Sequence, residues 1–383
     1  MWPQKTNYLH MKQLFFLFFL SILSLSCSDK KCTQVPIDID KTRSVSISDL
    51  FESIDVVQLE TTDQSLISAI GKVVFFENRY YILDLRQQTL FCFDLFGTFL
   101  FKISKKGQGT EEYTHLGDFN IDAYNNQLLL LDPFGYLLCF DLDGLFISKT
   151  RLPREITAYN EVYPMDKNDL AFVSLGEYPL VLYSRKKNEI TDKKYKVVNG
   201  IRSHVFTATN KTYIYNGEVF FSPPPTNDVV NLSNDTVFSW NFGKKNNSQK
   251  QIDNLRELLK SEDNIDGRDF FSEGKLNYAI VHNHESSKYR ICVIAEEHYN
   301  FKHVFFEKET KESFVFDRTK ENIRFIFPDF CGESIIMYDR DFNTSLDMTF
   351  YDKENLSEEQ NNIINSNNPE NDNPFLVKYN FKK

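Results

Sequence analysis

Apolar and polar positions fall in blocks along this chain. The run LFCFDLFGTFLFK, Leu90 to Lys102, is followed forty-seven residues later by LLCFDLDGLFISK, Leu137 to Lys149. Each copy is an apolar run, an Asp-x-x-Gly and a second apolar run. The match extends upstream, where ENRYYILD (Glu77–Asp84) aligns with NNQLLLLD (Asn125–Asp132) at an offset of 48. One unit therefore reads turn, strand, short turn, strand, Asp-x-x-Gly turn, strand, with Gly97 and Gly144 as hairpin glycines. Segments such as LLLL and LFCF are apolar on both faces, so they must be covered on both sides. A period in the forties with several short strands per unit predicts β-propeller blades stacked face to face around an axis. The chain is expected to be all-β.

Weaker copies follow at Asp166–Val197, Tyr215–Gly243, Lys288–Lys308 and Asn322–Lys353, and six units fit the length. Pro223–Pro225 belong to a loop. One inserted helix is predicted over about 248–264, with Ser248 and Gln251 as a capping box, an apolar stripe of Ile252, Leu255, Leu258 and Leu259, and Gly267 beyond its end. The Asn-rich tract 355–373 reads as a polar linker. IDVVQLE (Ile54–Glu60) near one end and PFLVKYNFK (Pro374–Lys382) near the other are predicted to meet in one blade and close the ring.

The N-terminal MKQLFFLFFLSILSLSC, Met11 to Cys27, has a basic residue, a short apolar run and small residues before a Cys. The run is too short to span a bilayer and reads as a secretory signal of the lipoprotein type. Ser24 stands where such signals usually carry Leu, with Leu23 and Leu25 on either side. The expected organisation is a signal peptide over 1–26, lipid attached at Cys27, a flexible tether over 27–45 and one propeller domain over 46–383. Either Met1 or Met11 can be the start. Lipidation leaves Cys32, Cys92, Cys139, Cys292 and Cys331, an odd number mostly in apolar runs, so no disulfide framework is expected.

With 383 residues, 36 of them Phe, the chain has ample apolar material for a large core. A net charge of -10 without clustered Lys and Arg excludes a nucleic-acid surface.

The stretch ISDLFESIDVVQLETTDQSLISAIGKVVFFENRYYILD, the loop KGQGTEEY (Lys106–Tyr113) and the ending NPFLVKYNFK (Asn373–Lys382) resemble the six-bladed β-propeller lipoproteins of Bacteroides-type bacteria, of the NHL/TolB-like kind. In that family the loop usually reads Gly-Gln-Gly-Pro-Gly-Glu-Tyr. Gly107, Gln108, Gly109, Glu112 and Tyr113 match it, while Thr110 and Glu111 depart from it. The resemblance implies a fold and a cell-envelope address, with no established chemistry.

Candidate sites are few. Gly107-x-Gly109 lacks the following helix that a phosphate cradle needs, and reads as a structural turn or a ligand loop. His282 and His284, with His298 and His303 nearby, are a metal candidate, with exposed loop histidines as the default reading. Asp339, Asp341 and Asn343 are spaced like the start of a calcium loop, but Thr344 and Phe350 stand where its Gly and Glu belong. The expectation is a monomeric protein without cofactor, anchored to the outer membrane by lipid, binding a ligand or a protein or glycan partner through one propeller face. The competing reading is a funnel-centred hydrolase or lyase, with or without calcium, acting on a glycan or lactone. A purely structural platform in an envelope assembly is the third.

Overall fold

The computed structural model describes residues 32–156, 159–174, 177–196, 212–223, 225–232, 236–261, 276–297, 300–326, 328–339 and 349–383. Six sheets form, each of four antiparallel strands, one of them widened by a fifth strand. Blade 1 comprises residues 70–103, blade 2 118–151, blade 3 161–194, blade 4 212–241 and blade 5 279–316. Blade 6 takes its first three strands from 329–331, 334–337 and 375–381, and its outer strand from 51–58. First strands of neighbouring blades touch one another, which places them at the axis. The predicted six-bladed propeller is what forms.

The ring closes as the pattern required. Phe51–Gln58 pairs antiparallel with Phe375–Phe381, Val56 beside Val377 and Gln58 beside Phe375. Without that pairing, Phe375–Phe381 would present an open edge.

Alternation along each strand explains the runs that are apolar on both faces. Leu90 and Cys92 enter the core between blades 1 and 2, while Phe91 and Phe93 enter the core between blades 6 and 1. Leu128 and Leu130 face blade 1, while Leu129 and Leu131 face blade 3. Each of the six seams has such a core. Phe91, Phe93, Leu129 and Leu131 are all essentially dry, each burial contributing about 1.5–3 kcal/mol. Cys92 and Cys139 hold equivalent places in successive seams, and all five cysteines of the described residues are free.

The repeated polar residues are turn chemistry. Asp94 Oδ1 accepts the Phe96 and Thr98 N–H groups at 2.9 and 2.8 Å, and Asp141 Oδ1 accepts those of Asp143 and Leu145 at 3.0 and 2.8 Å. Gly97 closes its hairpin at φ +86°, and a Cβ there would stand 2.0 Å from the Gln58 carbonyl oxygen. Asp84, fully buried, accepts from Arg86 and Gln87 N–H in its own turn and from Ser68 N–H in the preceding blade connection. Asp132 does the same with Phe134 and Thr114. Each of these two carboxylates therefore fastens an interblade connection to a turn.

Two expectations fail. The expected tether is part of the disc from Thr33 onward. Thr33–Pro36 adds to blade 4 as a fifth strand, parallel to Thr236–Asn241. Val35, Ile37 and Ile39 then enter the seam between blades 4 and 5. Val45, Ile47 and Leu50, the last two on the single-turn helix α1 (Ile47–Leu50), enter the seam between blades 5 and 6. A strap with alternating buried residues cannot be a flexible linker.

The second failure concerns helices. Helix α2 (Gln249–Ser261) forms as predicted, with Leu255 buried. The supposed polar linker contains helix α3 (Glu358–Ser366), capped by Ser357, whose hydroxyl accepts the Gln360 N–H. Gln360 Nε2 donates to the Ile54 carbonyl at 2.6 Å, and Ile364 is buried against blade 6. The strap makes a direct prediction. Val35→Asp buries a carboxylate in a seam and should destabilise by at least ~3 kcal/mol, whereas Gln34→Asp on the exposed side should be near neutral. Equal urea midpoints for the two variants would restore the tether.

Candidate functional site

Strand direction sorts the connections onto two faces. The turns between first and second strands and between third and fourth strands leave on one face, and they are short, as at 77–78, 95–98, 142–145, 216–217 and 332–333. Connections between blades and between second and third strands leave on the other face. This face carries the described parts of the long connections, 59–69, 104–117, 242–261 and 349–374 among them, including helices α2 and α3. The rigid blades thus offer one tight-turn face and one long-connection face, and variable chemistry belongs on the second.

A cleft of about 870 Å³ opens on the long-connection face at the seam of blades 6 and 1. One wall is the connection Ile67–Ile70 with Leu85 and Arg86 of blade 1. The other is the blade 6 insertion, which supplies Phe350, Tyr351 and Phe375. These rings form a triad with centroids 5.1, 5.7 and 5.9 Å apart, all half-buried. Tyr379 Oη donates to the Phe350 carbonyl at 2.7 Å and holds that wall in place. Arg86, Asp339 and Asp372 add both charges to the lining. Asn373, fully buried, ties the two walls together. Its Oδ1 accepts the Ile67 N–H at 2.8 Å, and its Nδ2 donates to the Glu60 and Ser65 carbonyls at 2.8 and 2.9 Å. Half-buried aromatic faces beside carboxylates and a guanidinium suit a ligand with an apolar face and polar edges.

Polar groups near the axis bond to neighbouring blades. Lys72 Nζ of blade 1 donates to Asp118 Oδ1 and the Phe119 carbonyl of blade 2 at 2.8 and 2.7 Å. Asp118 Oδ2 accepts the Val162 N–H of blade 3 at 3.0 Å, and Asn120 Nδ2 donates to the Val162 carbonyl. Asp329 Oδ2 of blade 6 accepts the Val73 N–H of blade 1 at 2.9 Å and the Tyr338 hydroxyl at 2.7 Å. Burial raises the Asp118 carboxyl above its usual range, and the Lys72 ammonium pulls it back.

The histidines require a correction. His282 and His284 lie on the first strand of blade 5 and His303 on its third, and all three are buried, not exposed in loops. His284 Nε2 donates to the Gly332 carbonyl at 2.7 Å, and its ring stacks on Phe330 at 4.5 Å. His303 Nε2 accepts the Phe325 N–H at 3.0 Å, leaving Nδ1 to donate to Phe316 O. Their backbone partners lie 48, 22 and 13 residues away, out of reach of a local reading. Burial lowers both rings to a pKa of about 4, holding them neutral. Among the described residues no three His, Cys, Asp or Glu side chains gather as metal ligands. Asp339 stands exposed at the cleft, while Cys27, His298 and Asp341 lie outside the described residues.

The loop of Gly107, Gln108, Gly109, Glu112 and Tyr113 connects blades 1 and 2 on the long-connection face. It closes on itself. Glu112 Oε2 accepts the Gly109 N–H at 2.7 Å, and the same atom lies 2.0 Å from where a Gly107 Cβ would stand. Tyr113 is fully buried, and its hydroxyl donates to the Gln88 carbonyl at 2.5 Å. Lys149 Nζ caps the Gly109 and Glu112 carbonyls at 2.9 and 2.6 Å. Gln108 is exposed. The loop's own carboxylate occupies the place an anion would take. Of the described sequence candidates only Asp339 reaches the cleft, whose remaining lining comes from the distant segments 67–86 and 350–375.

Comparison with known proteins bears on fold and family. The model of DUF4934, described as a domain of unknown function, matches residues 32–380. A Bacteroides fragilis protein provisionally described as exported superposes with a TM-score of 0.69 at 16% identity, covering 92% of this chain and 100% of its own. A DUF4221-family protein of Bacteroides vulgatus superposes at 0.50 with 10% identity, covering 89% of this chain and 99% of its own. No curated protein matches the sequence. Among the described residues no helix is long and apolar enough to cross a membrane.

The buried histidines predict how stability depends on pH. An unfolded His takes up its proton near 6.5, and these rings do so only near 4 in the folded chain. Between those values the unfolded state binds more protons, so stability falls as pH drops through the window, by about 3 kcal/mol for each ring. Urea midpoints measured at closely spaced pH values should fall from about pH 6.5 downward, and less steeply in His284→Phe. A wild-type midpoint that stays flat from pH 7 to 4.5 would contradict neutral buried rings.

Proposed function

The chain belongs to the DUF4934 family, and on that footing we propose that it is a lipid-anchored cell-envelope propeller. In this reading it binds a glycan in the cleft between blades 6 and 1 and performs no catalysis of its own. The observation that carries the reading is the aromatic triad Phe350, Tyr351 and Phe375 beside Arg86, Asp339 and Asp372. Sugar rings present C–H faces that stack on aromatic side chains and hydroxyl edges that bond to charged groups. The polar groups near the axis support a binding role, because Lys72, Asp118, Asn120 and Asp329 are already engaged between blades. Anchoring is supported by the apolar run ending at Cys27 and by the likeness to a protein described as exported.

Two measurements test this. Titration calorimetry against a panel of oligosaccharides should yield a ligand whose affinity drops about tenfold in Tyr351→Ala and in Arg86→Ala, a loss near 1.4 kcal/mol. Leu100→Ala, exposed on the outer strand of blade 1, should bind like wild type. If every glycan in the panel leaves the heat signal unchanged, the glycan reading falls; if cleaved products accumulate, the hydrolase or lyase reading replaces it. For the anchor, Cys27→Ser should move the protein from the membrane fraction to the soluble fraction. Unchanged membrane association would overturn lipidation at Cys27.

A further inference from the structure

We propose that the tight-turn face lies flat on the lipid surface, so that the cleft is presented away from the membrane. This rests on the reading of Cys27 as the lipid anchor. Thr33 stands beside Phe238 and Pro36 beside Asn241, in parallel. Thr236–Asn241 is the fourth strand of blade 4, so it runs from the tight-turn face toward the long-connection face. The strap therefore enters the disc from the tight-turn side. Thr33 is six residue steps beyond Cys27, an extended reach of roughly 20 Å. Doubling back past the four strap residues to the other face would consume roughly 13 Å of that, before the turn itself. The anchor thus holds the disc by its tight-turn side, at the rim of blade 4.

Exposed apolar side chains stand on the same face across the disc. Phe96 is 76% exposed and Leu145 67% exposed, at the tips of the Asp-x-x-Gly hairpins of blades 1 and 2. Neither side chain is needed for its turn. Those hairpins are closed by Asp94 with Gly97 and by Asp141 with Gly144; Phe96 contributes only its backbone N–H, and Leu145 only its backbone N–H and carbonyl. Leu95, 38% exposed in the same hairpin as Phe96, widens the patch. In a ring of six blades, blade 1 stands opposite blade 4. A lipid at one rim is a swivel. Apolar tips inserted at the opposite rim add a second point of support, and aromatic and aliphatic side chains partition into the headgroup boundary. The long-connection face, with its cleft, then points outward.

Quenching by lipid tests the orientation. The lipidated protein is reconstituted into phosphatidylethanolamine–phosphatidylglycerol vesicles with brominated acyl chains, once as Phe96→Trp and once as Phe134→Trp. Phe134, 58% exposed, lies in the second-to-third-strand turn of blade 2 on the long-connection face. A chain processed at Cys27 retains Trp240 as background, 1% exposed within the 4–5 seam. The expected result is loss of the added emission for Phe96→Trp and none for Phe134→Trp, relative to unbrominated vesicles. Quenching of Phe134→Trp with Phe96→Trp bright would mean the disc is inverted, and no quenching of either would mean it stands clear of the bilayer; each overturns the proposal. Flotation of the same samples separates the two failures. Protein that floats with the vesicles unquenched sinks the orientation and leaves the anchor, while protein that stays at the bottom sinks the anchor and the orientation with it.

Discussion

A strand apolar on both faces cannot sit at the end of a stack. Every blade here is built on such strands, so every sheet needs a neighbour on each side, and the stack has to return to its own beginning. The pairing of Phe51–Gln58 with Phe375–Phe381 performs that return. It joins the two ends of the chain in one sheet and covers the seams on both sides of blade 6, where Phe91, Phe93, Leu376, Tyr379 and Phe381 are dry. The strap adds a second long-range fastening across blades 4 to 6, so both fastenings draw on the N-terminal fifth of the described chain.

Polar residues divide between two tasks. Asp84, Asp94, Asp132 and Asp141 fasten turns within and between blades. Lys72, Asp118, Asp329, His284 and His303 join the inner parts of the blades or their connections. Chemistry is left to the long-connection face. There Asp339 and residues 350–375 of blade 6 face the connection 59–69 across the cleft, with Asn373 bridging the two walls.

The fold was legible where turn chemistry repeats. Asp84 with Asp132, Gly97 with Gly144 and Cys92 with Cys139 mark equivalent positions because equivalent turns and seams constrain them alike. The strap had a readable signal in the alternation Val35, Ile37, Ile39, but a neighbouring apolar run that reads as a lipoprotein-type signal made a tether the simpler reading. Helix α3 had one too, in the spacing of Ser357 and Gln360, hidden among asparagines. The first strand of blade 5 had none, since His-Asn-His-Glu reads as a loop until Gly332, Trp240 and Ser222 arrive from other blades to satisfy it. The cleft was invisible for the same reason: Leu85 and Tyr351 meet only once the ring has closed.

If closure governs the whole disc, no blade opens alone. Native-state hydrogen exchange measures this directly, comparing amides of Tyr81 and Ile82 in blade 1, Leu130 in blade 2 and Val377 in blade 6. A common opening free energy, equal to that of global unfolding, is the expected result. Exchange at Val377 through a much cheaper opening, with blades 1 and 2 still protected, would show that the disc holds together without its closing strands.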